Sequence, residues 1–272
     1  MNKKIFLLLS AALLSAFAAK ATPRIDRAEP LCWWTEMNCP LTLMLHGEDL
    51  TDAQVTIQEV SDKEEGKFIG FVKSLFSGEG LEVTGQHNAQ SPNYLFVDLD
   101  VNEPGTYRIT LTKGEEFTSW DYTIYTRREG SRERQGFNSS DMIYLIMSDR
   151  FVDGDETNNT VEGMAEAGNK DNVHGRFGGD IQGIINSLDH IASLGATAIW
   201  PTPLLEDNEA AWSYHGYACS DYYHIDPRYG SNELYRQMVE KAHEKGIKFI
   251  MDMVPNHCGG THWWMKDLPY QD

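Results

Sequence analysis

Basic residues are scarce in this 272-residue chain: 23 Lys and Arg stand against 41 Asp and Glu, a formal net charge of −18. That balance repels phosphate backbones and anionic lipid surfaces, so neither nucleic acid nor a membrane surface is expected as a partner, and a neutral or cationic ligand fits better. Cysteine is rarer still. Four are too few for a disulfide scaffold. Cys32 and Cys39 lie close in sequence, and Cys219 and Cys258 fall in segments assigned below to neighbouring loops. Spacing alone leaves either pair bridged or free. After the N-terminus, no apolar run approaches the ~20 residues of a membrane-spanning helix.

The N-terminus differs. Lys3 and Lys4 precede an apolar run from Ile5 to Ala18, and Ala19-Lys20-Ala21 supplies small residues where a signal peptidase reads. This order of charge, short apolar core and cleavage site predicts a secretory signal peptide over 1–21, with an exported mature chain from Thr22 and no membrane segment after cleavage.

From 22 to 126 the signal is all-β. Leu41–Leu45, Val55–Ile57, Tyr94–Leu99, Tyr107–Leu111 and Trp120–Ile124 are short runs separated by Gly, Pro and Asp clusters. They predict an immunoglobulin-like β-sandwich. Residues 127–140, charged and without apolar period, read as a linker. After it the grammar changes. Met142–Met147 is an unbroken apolar run, the mark of a strand buried on both faces. Asp180–Leu194 reads as one amphipathic helix capped by Asp180 and closed by Gly195. Thr197–Trp200 is a second strand, Ser231 caps a second helix ending at Gly246, and Ile247–Met251 is a third strand. The alternation is that of a parallel α/β fold, and the long polar segments all follow strands, as on the active face of a (β/α)8 TIM barrel. Residues 141–272 therefore read as the first three β/α units of an incomplete barrel, with about five units still to come. The apolar faces of these strands and helices lack partners within the sequence.

Several blocks carry chemistry. Asp252-Met253-Val254-Pro255-Asn256-His257 leaves the third strand; Gly195–Pro203, Tyr214-His215-Gly216-Tyr217 and Asp221–Gly230 precede it. In this order and spacing they resemble the α-amylase family of glycoside hydrolases, and the β-rich front with the Asn256–Trp264 tail looks most like its neopullulanase/cyclomaltodextrinase branch. The resemblance spans Met142 to Asp272. It implies that His257 hydrogen-bonds a hydroxyl of the glucose unit at the cleavage point and that Tyr217 stacks on that sugar, roles that suit an imidazole and an aromatic face. Asp252 is implied as an orienting residue beneath the site, acting on an Arg that this sequence lacks, and Asn256 as a support of the loop. The implied partners are α-glucan oligosaccharides: starch, pullulan or cyclodextrins. The branch often forms homodimers through its front domain, although no feature here demands one, and a periplasmic location follows from the resemblance alone.

The segment Asp149–Asn159 is rich in hard oxygen donors of the kind Ca²⁺ takes. In the resembling branch a matching loop, joined by a Gly-Gly-Asp segment, binds calcium. Here that implies Asp153, Asp155, Asn158, Asn159, Asp180 and the carbonyl of Gly178, with the branch's usual Asn and Asp exchanged between the first position and Asn159. The alternative is an Asx-turn loop with no ion. Spacing excludes an EF-hand. Trp263 and Trp264 read equally as a sugar platform or as loop packing. Retaining glycoside hydrolysis needs a nucleophilic carboxylate and a second carboxyl that serves as acid and then base. In the family these follow later barrel strands, and none of their motifs occurs here, so the expected catalytic set in this chain is none. Glu206, Asp207 and Glu209 match no motif. The expectation is a retaining α-glucan hydrolase whose acid pair lies beyond these residues; the alternatives are a non-catalytic carbohydrate-binding protein or a scaffold relative.

Overall fold

The computed structural model describes residues 22–60 and 80–271. The predicted signal peptide lies outside the described residues. The chain divides into two compact units, Met1–Glu133 with Pro269–Asp272, and Arg134–Leu268. The division falls inside the segment read as a linker.

In the first unit, eight strands among the described residues form two sheets. One has the order β1 (Arg24–Glu29), β3 (Leu41–Glu48), β6 (Tyr94–Val101), β5 (Leu81–Asn88); the other has the order β2 (Cys32–Trp34), β8 (Glu116–Tyr125), β7 (Gly105–Lys113), β4 (Gln54–Glu59). All pairs are antiparallel except β2 with β8. Alternation decides which face is covered. Leu41, Leu43 and Leu45 of β3, Val97 and Leu99 of β6, Ile109 and Leu111 of β7, and Tyr122 and Ile124 of β8 share one buried cluster between the sheets. The strands β1, β2 and β5 carry too little apolar alternation to be read from sequence. They are positioned by the ladders of β3, β8 and β6.

The second unit holds a parallel sheet in the order β13 (Lys248–Phe249), β10 (Ala198–Pro201), β9 (Ile143–Ile146). A small antiparallel hairpin, β11 (Leu205–Glu206) and β12 (Asp221–Ile225), leaves the end of β10. Helices α1 (Ile181–Asn186), α2 (Leu188–Ser193) and α3 (Asn232–Glu244) supply the other half of the core. Ile181, Ile184, Leu188 and Ile191 join Ile146, Ile199, Met238, Ala242 and Ile247 in one cluster.

The caps behave as their residue types require. Asp180 accepts from Gly183 N at 2.6 Å and Ser231 Oγ from Leu234 N at 3.1 Å, each satisfying a first-turn amide with no partner inside its helix. Gly195 and Gly246 turn the chain from helix to strand at φ 80° and 72°, the left-handed region where a side chain would be strained.

Three expectations are corrected. The segment 180–194 is two helices: Ser187 has ψ near 0°, and its hydroxyl donates back to Gly183 O at 2.8 Å, a bond that bends helices. Strand β9 is covered on one face only; Ile143, Leu145 and Met147 are exposed because, among the described residues, only the α1–α2 side packs on it. The third strand pairs over two residues rather than five, as an edge strand with a single neighbour, although Ile250 N still donates to Ile199 O at 2.9 Å.

At the starting ends of the three parallel strands a single carboxylate gathers the chain. Asp141 accepts from Thr197 Oγ1 (2.9 Å), Lys248 Nζ (2.8 Å) and Asn138 N (2.7 Å), and Thr197 Oγ1 in turn accepts Met142 N. The Lys248 contact first, then the Asn138 amide and Thr197, hold this carboxyl down to about 2. A depressed folded-state value contributes stability that is present above the unfolded value of about 3.9 and lost as pH falls towards the folded one. Asp141→Asn is therefore expected to lower the thermal midpoint of the second unit at pH 7, with the gap to wild type narrowing as pH falls from ~4 to ~2. Melts followed by circular dichroism across that range check it; a gap independent of pH would remove the ion pair from the account.

Candidate functional site at the strand ends

The finishing ends of β10 and β13 carry the residues singled out from the sequence. Asp252, three residues beyond β13, is half-buried, and its Oδ2 accepts from Trp200 Nε1 at 3.0 Å and from Tyr217 OH at 3.2 Å. Trp200 is the third residue of β10, and Tyr217 lies in the loop between β11 and β12. One carboxylate oxygen thus joins the end of one strand, the loop of the next connection and the exit of the third strand. Burial first, then the Asp252 charge, raises the Tyr217 phenol above its ordinary value, so it stays protonated and donates. Its ring remains 38% exposed.

His257 closes the group. Its Nε2 donates to the Tyr217 carbonyl at 3.0 Å, while Nδ1 accepts from the Asn256 side-chain amide at 3.1 Å. A carbonyl can only accept and an amide nitrogen can only donate, so these partners specify a ring protonated on Nε2. Asn256 therefore orients the imidazole as well as sitting in its loop. A ligand hydroxyl that engages His257 replaces the Tyr217 carbonyl at Nε2 or the Asn256 amide at Nδ1. Below Tyr217, the His215 Nδ1 accepts Tyr217 N at 3.0 Å, and burial lowers the His215 pKa, which favours the neutral ring that acceptance requires. Tyr222 OH donates to His257 O at 2.6 Å and Val254 O at 3.2 Å, tying the loop after β13 to β12.

The loop carrying Tyr217 rests on a buried ionic anchor. Arg228 grips Asp226 through Nε (2.9 Å) and Nη2 (2.6 Å) and also donates to the carbonyls of Asp207 and Glu166. The two-pronged grip on a carboxylate fixes direction as well as distance. Asp207 accepts from Ala218 N and Glu209 N, next to Tyr217, and burial pushes its carboxyl up to about 6. Arg150 lies between the rings of Phe177 and Tyr214, 3.9 Å from each centroid. Trp200, Arg228 and Arg150 were not picked out from the sequence. Trp200 read as strand apolar content, Arg228 sits two residues after its partner Asp226 within a block that was read only as a whole, and Arg150 meets rings distant in sequence.

The second predicted cluster follows β9. Asn159 Nδ2 donates to Asp153 Oδ2 at 2.9 Å, where Lys170 Nζ also arrives at 3.0 Å. Gly178 (φ 93°) faces Asn159: a Cβ there would lie 2.1 Å from Asn159 Oδ1. Asn158 Nδ2 donates to Asp180 Oδ2 at 3.2 Å. Among the described residues, Asp153 Oδ1, Asn158 Oδ1 and Asn159 Oδ1 are buried and have no hydrogen-bond donor. Buried oxygens without donors are costly unless something positive meets them.

The other two members of the predicted set differ. Asp180 receives four N–H groups, from Gly183, Gly154, Asp155 and Asn158, which fill the lone-pair sites of a carboxylate. Asp155 is exposed and its Oδ1 caps Thr157 through N and Oγ1. Both are occupied by capping, the competing role of Asp at turns and helix starts. Among the described residues no three His, Cys, Asp or Glu side chains form a cluster that could hold a metal. Trp263 and Trp264 begin a short 3-10 turn and pack half-buried with His262 and Tyr222 rather than standing out as a platform.

Residues 145–271 match the family model described as alpha amylase, catalytic domain, and residues 65–128 match cyclomaltodextrinase, N-terminal. A cyclomaltodextrinase of Thermoanaerobacter pseudethanolicus is 39% identical over 132 residues, 48% of this chain and 22% of that protein. Neopullulanase 2 of Thermoactinomyces vulgaris is 37% identical over 146 residues, 53% of this chain and 23% of that protein. The chain thus spans less than a quarter of the length of either relative. A solved structure, the cyclic α-maltosyl-(1→6)-maltose hydrolase of Arthrobacter globiformis, overlaps 47% of this chain and 28% of its own at 36% identity, with a TM-score of 0.40. The segment that carries the strand-end motifs is thus the one that matches the alpha-amylase catalytic domain, and the front segment matches the cyclomaltodextrinase N-terminal model.

Proposed function

We propose that this chain supplies the glucose-contacting face of an exported, retaining α-glucan hydrolase. The observation that carries the reading is the meeting of Tyr217, His257 and Asp252 at one end of a parallel sheet. There a half-exposed phenol ring offers a flat apolar face to a pyranose, and an imidazole beside it offers polar contacts. Similarity to cyclomaltodextrinases and a neopullulanase supports α-linked glucans as the ligand class. In this reading the front unit is the immunoglobulin-like sandwich of that branch, the second unit comprises the first three β/α units of the catalytic barrel, and the mature protein acts in the periplasm. The acid pair of a retaining glycosidase, two carboxyls ~5–5.5 Å apart, belongs to later strands of the barrel.

We further assign a Ca²⁺ ion to Asp153, Asn158, Asn159 and the carbonyl of Gly178. Calcium takes neutral amide and carbonyl oxygens alongside carboxylates, which suits this set. Bound there, it would supply positive charge to the three donor-less oxygens and fasten the segment after β9 to the start of α1. Its part is structural.

Two experiments test these assignments. Calorimetric titration of the chain with an α-1,4-linked glucose heptasaccharide is expected to give saturable binding, weakened about tenfold (~1.4 kcal/mol) by Tyr217→Ala and much less by Tyr217→Phe. Equal affinity for the Ala variant and wild type would end the stacking role. Under the same reading, the chain alone releases no reducing ends from starch; release would overturn the placement of the acid pair. For the metal, chelation followed by added CaCl2 is expected to raise the thermal midpoint of the second unit, by ~2.7 kcal/mol of stability at 100 times the dissociation constant. Asn159→Ala should abolish that response, and an unchanged response in the variant would refute the ligand set.

A further inference from the structure

The two loops that carry Tyr217 and His257 also carry a cysteine each, and a backbone hydrogen bond joins the two loops at the cysteines. Gly259 N donates to Cys219 O at 2.7 Å. A Cβ on Gly259 would lie 2.4 Å from Ala218 O, so the strands of chain around the two cysteines run as close as backbones can. A hydrogen bond from the amide following one cysteine to the carbonyl of the other holds their α-carbons roughly 5–7 Å apart, the span a disulfide bridges. Tyr222 lies against both: burial, and behind it the neighbouring Cys219 and Cys258, raise its phenol above the ordinary value. The two thiols are free in this structure.

We propose that Cys219 and Cys258 are a dithiol–disulfide pair that covalently fastens the Tyr217 loop to the His257 loop. The oxidant is a disulfide of the small-molecule or dithiol-oxidase class. Cys258 is half-buried and the more accessible of the two, while Cys219 is 3% exposed and burial pushes its thiol up to about 12. Because the thiolate is the nucleophile, Cys258 reacts first. Its sulfur attacks one sulfur of the oxidant, the oxidant's S–S bond breaks and one thiolate leaves. Cys219 then gives its proton to solvent and attacks the Cys258 sulfur, expelling the second thiolate. Two protein thiols and one disulfide become one protein disulfide and two thiols.

The link would lie two residues from Tyr217 and one from His257, parallel to the 3.0 Å hydrogen bond between them. Oxidation would fix the spacing of the two side chains that the proposed function assigns to the sugar. The existence of the link does not rest on that assignment; only its effect on sugar binding does.

The test equilibrates the full chain with mixed reduced and oxidised glutathione, traps remaining thiols by alkylation and maps the peptides of a non-reducing digest by mass. The expected result is a peptide pair joining Cys219 to Cys258, lighter than its separate parts by two hydrogens. It should be retained in a Cys32→Ser, Cys39→Ser double variant and lost in Cys258→Ser. Alkylated or glutathione-bearing Cys219 and Cys258 in the oxidised sample, or a pairing with Cys32 or Cys39, would overturn the proposal. Because the wild-type map decides, a misfolded variant does not obscure the outcome. A linked pair with no glucan binding in either redox state would uphold the crosslink and refute the proposed function instead.

Discussion

A single oxygen, Oδ2 of Asp252, sets the geometry of the strand ends. It accepts an indole N–H from the end of β10 and a phenol O–H from the loop before β12, and it belongs to the segment leaving β13. Parallel strands have no tight turn to register their exits, and here a shared acceptor does it. The ring of Tyr217 is turned outward because its hydroxyl is held at this point and its backbone is held by His215 and His257. Polar neighbours thereby control an apolar face.

The two ends of the parallel sheet use carboxylates in different ways. Asp141, at the starting end, meets a lysine, a hydroxyl and an amide and is held strongly acidic; its work is finished within the fold. At the finishing end the charges are either buried against arginine, as in Asp226, or left beside exposed rings, as in Asp252. Between β9 and α1 the balance is different again. Asp180 is saturated by N–H donors, while the Oδ1 atoms of Asp153, Asn158 and Asn159 have none among the described residues. Acidic character alone did not separate these cases. The supply of nearby donors does.

What could be read in advance follows the same division. The caps at Asp180 and Ser231, the left-handed glycines after the helices and the grouping of Tyr217, Asp252 and His257 were all legible, because each depends on local sequence or on a motif with fixed spacing. The break at Ser187 was not, since a serine on a helix reads the same whether its hydroxyl faces solvent or bonds back to Gly183. Nor was the capping by Asp155 and Asp180, which look alike in an acidic segment until their N–H and O–H partners are known. Trp200 and Lys170 act through partners 52 and 17 residues away, and Arg228 adds to its neighbour Asp226 a carbonyl 62 residues away; one sequence holds no signal for such distant pairings.

The connections around the parallel sheet are unequal. From helix to strand the chain needs little more than a glycine, at 195 and at 246, whereas from strand to helix it wanders through tens of residues. Tolerance to change should be equally lopsided. The glycine corners strain most residues with a side chain, while the long excursions can lengthen, shorten or exchange side chains so long as anchors such as Asp226–Arg228 survive. Variation in ligand preference among related chains would then collect on one rim of the sheet, leaving the opposite rim nearly constant.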